Sequence, residues 1–347
     1  MIVHMGSTTK QRITWVDIAK ALGIIAVVFG HAIDSERDIR SFDLVYDAIY
    51  WWHMPLFFII GGFFLKPLAR NWEAIRQFLS RRCKPLIVSY LLMGSLLIML
   101  SHFVRNQDWS YTAFYFVRLL YGGRTLNNYL SIFWFINVYI LTLIVVIILI
   151  SWVRPAILQW IISLTLFAIG TIHQQPEFLG HPYFPWDVQV VLITTTYMLA
   201  GYYGFKLLQT ISHKYITLLS IGIFYMLLIH DQVTRKINFT LYLKSDNLNH
   251  TGLALITPLV LCLGVILVSQ IISELKLFHW LVFWGRHTVL IMFWHRALFD
   301  LPEIMGLPNH WLLKCLMGLL IPILAVLVWK QFRHFLMHHR PRQFVHS

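Results

Sequence analysis

The stretch WVDIAKALGIIAVVFGH occupies residues 15–31. It is mostly apolar and close to the roughly 20 residues that a membrane-crossing helix needs. It also carries Asp17, Lys20 and His31. Ionisable groups are costly at membrane depth, so such residues face a bundle interior or a wet cavity and not lipid. Lys20 and His31 are eleven residues apart. A helix makes about three turns over that distance and rises roughly 16 Å, so the two share a face. Asp17 lies one turn before Lys20 on that face. The face therefore runs from an Asp–Lys pair near one end to a histidine near the other. An interfacial anchoring pair with a snorkelling lysine and one satisfied histidine is the alternative reading.

Composition extends this reading to the whole chain. Of 347 residues, 58% are hydrophobic and 12% charged, and the mean hydropathy is +0.66. Soluble domains carry about 25% charged residues. The expected class is an all-α membrane protein. The net charge of +13 is read as cytoplasmic loop charge, so no nucleic acid partner is expected. Cys83, Cys262 and Cys315 are widely spaced, without metal-ligand or disulfide patterning, and no metal is expected. The first apolar run is charged and lacks a cleavage-site pattern, so no signal peptide is expected.

Apolar runs near 14–33, 43–65, 85–104, 129–152, 155–172, 188–205, 215–230, 251–273, 281–300 and 310–329 predict about ten transmembrane helices. The ninth is interrupted at Gly285-Arg286-His287. WSYTAFYFVRLLY (109–121) is too short to span and is read as interfacial or re-entrant. Lys10, Arg12, Lys66, Arg81, Arg82, Lys84 and Lys330 belong to the more basic set of connections. Arg37, Arg40, Arg105 and Lys244 belong to the other set. That bias predicts both termini in the cytoplasm. No internal repeat is visible, and 1–347 reads as one membrane domain with a basic tail over about 330–347. His338-His339 in that tail is read as solvated.

Further polar groups interrupt the apolar runs. WWHMPLFFIIGGFF (51–64) places His53 two residues before Pro55, which frees a backbone carbonyl; a histidine bonded to that carbonyl is the alternative to a cavity role. Gly61-Gly62 permits close helix approach. RRCKP (81–85) concentrates Arg81, Arg82 and Lys84, either as plain topology charge or as a site for phosphates. IFWFINVY (132–139) holds Trp134, for which packing is the alternative, and Asn137, which can bond another helix. GRHTVLIMFWH (285–295) holds Arg286, His287 and His295.

In this order the motifs resemble the acyltransferase-3 family of integral membrane acyltransferases, closest to its fucose 4-O-acetylase-like branch of bacterial sugar O-acetyltransferases. The matching features are Lys20-x10-His31 after WVDIAK, HMPLFFIIGGFF, RRCKP, FWF, AGYYGFK (200–206) and GRHTVLIMFWH. Gly61, Lys20 and the pair His287-Thr288 depart from the family's usual Ser, Arg and Asn-Ser. The resemblance implies a bacterial inner-membrane enzyme moving an acetyl or other short acyl group. The donor would be cytoplasmic acyl-CoA, typically acetyl-CoA. The acceptor would be a hydroxyl of a surface polysaccharide or lipid-linked sugar. No esterase-like domain follows the tenth helix, which implies that the membrane module acts alone.

On this reading His31 is the base or transient acyl acceptor, its ordinary pKa of about 6.5 suiting proton transfer. Asp17 and Lys20 hold the inner half of the cavity, near the thioester end of the donor. Arg81, Arg82 and Lys84 hold the CoA phosphates. His53, Trp134, Asn137, Arg286 and His295 line the cavity. Tyr50, Trp51 and Trp52 either stack on a sugar or form an interfacial belt. The rival reading is a transporter or flippase with an intramembrane Asp/Lys/His relay, which the lack of a repeat disfavours.

Overall fold

Long apolar runs without turn residues satisfy their backbone groups internally as helices, the form a single segment must take in lipid. The computed structural model describes residues 12–172, 184–275 and 278–338. Lys10, Lys276, His339 and the end of the basic tail lie outside them. The first helices are α1 (Thr14–Ala32), α2 (Arg40–Tyr50) and α3 (His53–Gly62). Next, α4 (Trp72–Phe78) runs through a π turn at Leu79–Cys83 into α5 (Lys84–Val104). They are followed by α6 (Trp109–Tyr121), α7 (Trp134–Trp152), α8 (Ala156–Ile172) and α9 (Val188–Leu207). The last six are α10 (Lys214–Val233), α11 (Thr251–Glu274), α12 (His279–Arg286), α13 (Thr288–Leu298), α14 (Leu301–Ile304) and α15 (Trp311–His338). A short antiparallel ribbon pairs Leu241 with Leu248 and Tyr242 with Asn247.

Among the described residues, six stretches are long and apolar enough to cross a membrane: Thr14–Ala32, Trp72–Val104, Asn128–Trp152, Lys214–Val233, Thr251–Glu274 and Trp311–Leu336. Shorter apolar helices such as Ala156–Ile172 and Thr288–Leu298 accompany them. The chain is a multi-pass helical membrane protein. Its surface supports this: Leu92, Phe103, Ile157, Leu219, Met226 and Val328 are each more than half exposed. In water such a rim would drive aggregation; in a bilayer it meets lipid.

The run at 43–65 differs from the single span expected. It breaks at Trp51-Trp52 into α2 and α3. Pro55 causes the break, because its ring has no N–H for the Trp51 carbonyl and clashes with that carbonyl in a continuous helix. Trp51 is buried, and its Nε1–H donates to the Phe239 carbonyl at 3.2 Å. It is therefore neither a sugar platform nor part of an interfacial belt. The ninth run is likewise split at His287 into α12 and α13. The aromatic α6 spans thirteen residues, about 20 Å, too short to cross.

Glycines set the closest helix contacts. A Cβ on Gly62 would overlap the Met198 carbonyl, and one on Gly201 the Ile59 carbonyl, so α3 and α9 meet backbone to backbone. Hydroxyl pairs add bonds between neighbouring helices, Thr142 with Thr194 at 2.6 Å and Ser163 with Thr196 at 2.8 Å. Such bonds contribute about 0.6 kcal/mol each in membrane bundles. Helix α1 sits inside the bundle, packed against α3, α11, α12, α13 and α15. The polar face at residues 17–31 is thereby removed from lipid.

Candidate active site

The N-terminal end of α1 is organised around Asp17, whose side chain is 2% exposed. The Arg12 guanidinium donates from Nε to Oδ2 at 2.7 Å and from Nη2 to Oδ1 at 3.2 Å. Lys20 Nζ lies 3.6 Å from Oδ1, and Arg286 Nε lies 3.5 Å from Oδ2. Gly285 makes this possible. A Cβ there would overlap the Asp17 backbone carbonyl, so only glycine lets the last turn of α12 lie against α1. Asp17 thus gathers three cations, and it does not itself line the neighbouring cavity.

That cavity has a volume of about 510 Å³, within the range of small-molecule sites. At one end it is bordered by Arg12, Lys20, Arg81, Arg82 and Arg286, and it continues past Ile24 and Val27 of α1 to His31 and Trp134. The π turn at Leu79–Cys83 carries both Arg81 and Arg82, and both border the cavity. Such bulges often occur at functional sites. Lys84, one residue beyond the turn, is exposed and does not border it.

At its far end the large cavity meets a second chamber of about 60 Å³. His31, Met54 and Trp134 line both. The smaller chamber adds Tyr50, His53, Ser131, Tyr242, Lys244 and Arg296. The His31 ring stacks on His295 at 5.4 Å between centroids, and its Nδ1 lies 3.5 Å from the Tyr50 hydroxyl. His53 Nδ1 is 2.9 Å from the Ile49 carbonyl, and His295 Nδ1 is 3.0 Å from the Ile291 carbonyl. A carbonyl only accepts, so each Nδ1 carries the proton. In the neutral ring each Nε2 then keeps its lone pair. His295 Nε2 is buried with no hydrogen-bond partner among the described residues.

Of the residues expected from the sequence, Lys20, Arg81, Arg82, Arg286, Trp134 and His31 thus share one cavity, and His53 lies in the adjoining chamber. Besides Lys84, three do not fit the cavity roles assigned to them. Asp17 holds the cations. Fully buried His295 backs His31 and lines neither chamber. Asn137 braces a turn elsewhere, its Oδ1 accepting from the Gly123 N–H at 3.5 Å. That turn carries Gly122 and Gly123 at φ of +70° and +61°.

Sequence reasoning missed Arg12 as more than a flanking charge, and missed Ser131, Tyr242, Lys244 and Arg296. Arg296 had a signal, being one residue past His295 in an apolar run. Lys244 had none, since a loop cation resembles any other until the fold closes. Three contacts tie the α10–α11 connection to α2 and to the α2–α3 break: Trp51 to the Phe239 carbonyl, Phe239 N–H to Gln232 Oε1 at 2.9 Å, and Gln232 Nε2 to Asp47 Oδ2 at 2.9 Å.

A family model described as an acyltransferase domain matches residues 13–329. The chain belongs to the acyltransferase-3 family. The match takes in every residue of both chambers except Arg12, one position before it. No curated protein and no solved structure was found to match the chain. In this membrane acyltransferase the Asp17 cluster offers a direct test. Asp17→Asn keeps the shape and leaves Arg12, Lys20 and Arg286 mutually repelling. Arg12 and Arg286 are about half exposed, so solvent screens part of the effect. The expected loss is about 1–2 kcal/mol of stability, read as a lower unfolding midpoint of the purified protein. An unchanged midpoint would show that the cations need no central carboxylate.

Proposed function

We propose that this acyltransferase moves an acetyl or other short acyl group from acyl-CoA to a hydroxyl of a surface polysaccharide or lipid-linked sugar, as in the sugar O-acetyltransferase branch. The observation that carries this reading is one continuous cavity, basic at one end and reaching His31 at the other, where a second polar chamber begins. Five cations at the mouth suit the phosphates of a CoA donor. The apolar walls beyond them suit a long, thin acyl-carrying arm. His31 then meets the thioester from one side and the acceptor hydroxyl from the other. Threading of the arm makes an acyl relay along α1 unnecessary.

The chemistry needs a base and a carbonyl held within reach. His31 takes the proton from the acceptor hydroxyl, whose oxygen attacks the thioester carbonyl. The tetrahedral intermediate expels the CoA sulfur, which regains a proton from the imidazolium. One ester and one thiol result. With the basic mouth on the cytoplasmic side, as the loop charges favour, the smaller chamber faces the opposite side of a bacterial inner membrane. Membership of an acyltransferase family does not favour the transporter reading.

Purified protein is expected to release free CoA from acetyl-CoA only when a glycan acceptor is present. Absence of acceptor-dependent release with a panel of lipid-linked and polymeric glycans would count against acyl transfer. Arg81→Ala combined with Arg82→Ala is expected to raise the KM for acyl-CoA about tenfold or more, with a smaller change in kcat, since charge-assisted phosphate contacts contribute about 1.5–3 kcal/mol each. An unchanged donor KM would remove the phosphate role from these arginines.

A further inference from the structure

The smaller chamber carries a charge pattern that acyl transfer to a plain hydroxyl does not require. Lys244 and Arg296 both border it. Lys244 Nζ donates to the Leu126 carbonyl at 2.9 Å. Arg296 donates from Nε to Ser131 Oγ at 3.0 Å and from Nη1 to the His31 carbonyl at 3.5 Å. These neutral acceptors fix the two cations without neutralising them. Neither forms an ion pair with a carboxylate among the described residues. Asp34 also borders the chamber, but it is exposed at the rim, where solvent weakens its field. Buried Asp187 acts on Lys244 from outside the chamber's lining, one carboxylate against two cations. Two partly buried cations that no carboxylate contacts are costly unless an anion joins them.

We propose that this chamber is an anion subsite for the acceptor, in which Lys244 and Arg296 receive a carboxylate or phosphate carried by the sugar whose hydroxyl is presented to His31. The proposal rests on the reading of His31 as the transfer site. The chamber's volume of about 60 Å³ admits an anionic substituent and the edge of one ring, not a whole oligosaccharide. Arg296 ties the two functions together, because it also contacts the backbone of His31. Tyr50 and Tyr242, stacked at 5.3 Å between centroids, form the aromatic wall beside it.

The charged groups that act on Lys244 come from several elements. They are Arg296 on α13, Asp187 before α9, Arg124 before α7 and Asp34 after α1. Burial, with Arg296 next in effect, holds Lys244 down to about 8. Its charge is full below that pH and is lost above it. Arginine at the same position stays charged throughout.

The test measures binding of glucuronate, glucose 1-phosphate and glucose to the full-length purified protein by calorimetry, with no acyl-CoA present. An Arg81→Ala/Arg82→Ala background lowers competition from the basic mouth, whose other cations are held by Asp17, and the Lys244 variants assign the remaining binding to the smaller chamber. At least one anionic sugar is expected to bind about tenfold more tightly than glucose. Preference for glucuronate points to a uronic-acid polymer, and preference for glucose 1-phosphate to a lipid-linked sugar phosphate. Lys244→Met is expected to lose that factor of about ten, and Lys244→Arg to keep it. In the Lys244 background, glucuronate binding is expected to weaken as the pH rises through about 8, and Lys244→Arg is expected to remove that dependence. Equal binding of glucose and the anions, no binding of either anion, or an unchanged affinity in Lys244→Met would each overturn the proposal. If Lys244→Met does not fold, the sugar comparison and the pH profile of the Lys244 protein decide the matter alone. Binding here does not involve acyl-CoA. Failure of the donor reading would leave this result intact, and failure here would leave transfer to neutral sugars standing.

Discussion

Replacing His31 with alanine is expected to lower acyl transfer by about 10²–10⁴-fold, the usual contribution of a positioned base. The ring stands at the junction of the two chambers and is held on one side by His295 at 5.4 Å between centroids. Among the described residues no other imidazole borders the larger cavity. His53 reaches only the smaller chamber, and His295 reaches neither. The change removes a ring without adding bulk, so unfolding midpoint and acyl-CoA affinity are expected to stay close to the parent values. The measurement is acceptor-dependent CoA release, paired with donor binding. Persistent transfer at near-parent rate in a folded His31→Ala protein would reject this histidine as the base. Loss of donor binding together with activity would instead point to damage along the cavity.

Gly285→Ala is expected to cost about 3 kcal/mol or more, at the upper end of overpacking effects. Its Cβ would overlap the backbone of Asp17, so no rotamer change can relieve the contact and α12 must move away from α1. Arg286 follows Gly285 directly, and that movement takes the Arg286 side chain away from Asp17. The readouts are yield of monodisperse protein and unfolding midpoint, with donor KM in whatever folds. Gly204→Ala is the control. That glycine has open space where a Cβ would sit, and alanine there is expected to be tolerated. Equal behaviour of the two variants would show that α1 and α12 are less tightly joined than their backbone contact indicates.

Helix periodicity alone put Lys20 and His31 on one face, and the cavity follows that face. It succeeded because α1 is an uninterrupted helix whose geometry depends on nothing else. The same reasoning misjudged Asp17, since a carboxylate on the right face can point to its neighbours instead of the cavity. Here Arg12 and Arg286, from outside its own helix, decide the matter. The cluster RRCKP was visible as charge, but not its division. Arg81 and Arg82 border the cavity together with Pro85, Leu86 and Ser89, one face of the turn and of α5, while Lys84 lies off that face. Pro55 announced a freed carbonyl in the second run. It did not show the full break at Trp51-Trp52, nor that Trp51 would turn inward to donate to the Phe239 carbonyl.

By itself the sequence determined a helical membrane bundle, an α1 face with a cation at one end and a histidine at the other, and the ordered motifs of an acyltransferase. The first two rest on composition and on helical repeat, which are local; the third rests on resemblance to a known family. Only the tertiary structure decided that Asp17 organises cations, that Asn137 and His295 stand outside both chambers, and that Lys244 and Arg296 meet beside His31. The deciding pairings, Arg286 with Asp17 and Arg296 with His31 and Ser131, join residues more than a hundred positions apart. They arise from helix packing across backbone-to-backbone glycine contacts and from the folding of one connection over the bundle end. No periodicity in the chain encodes either.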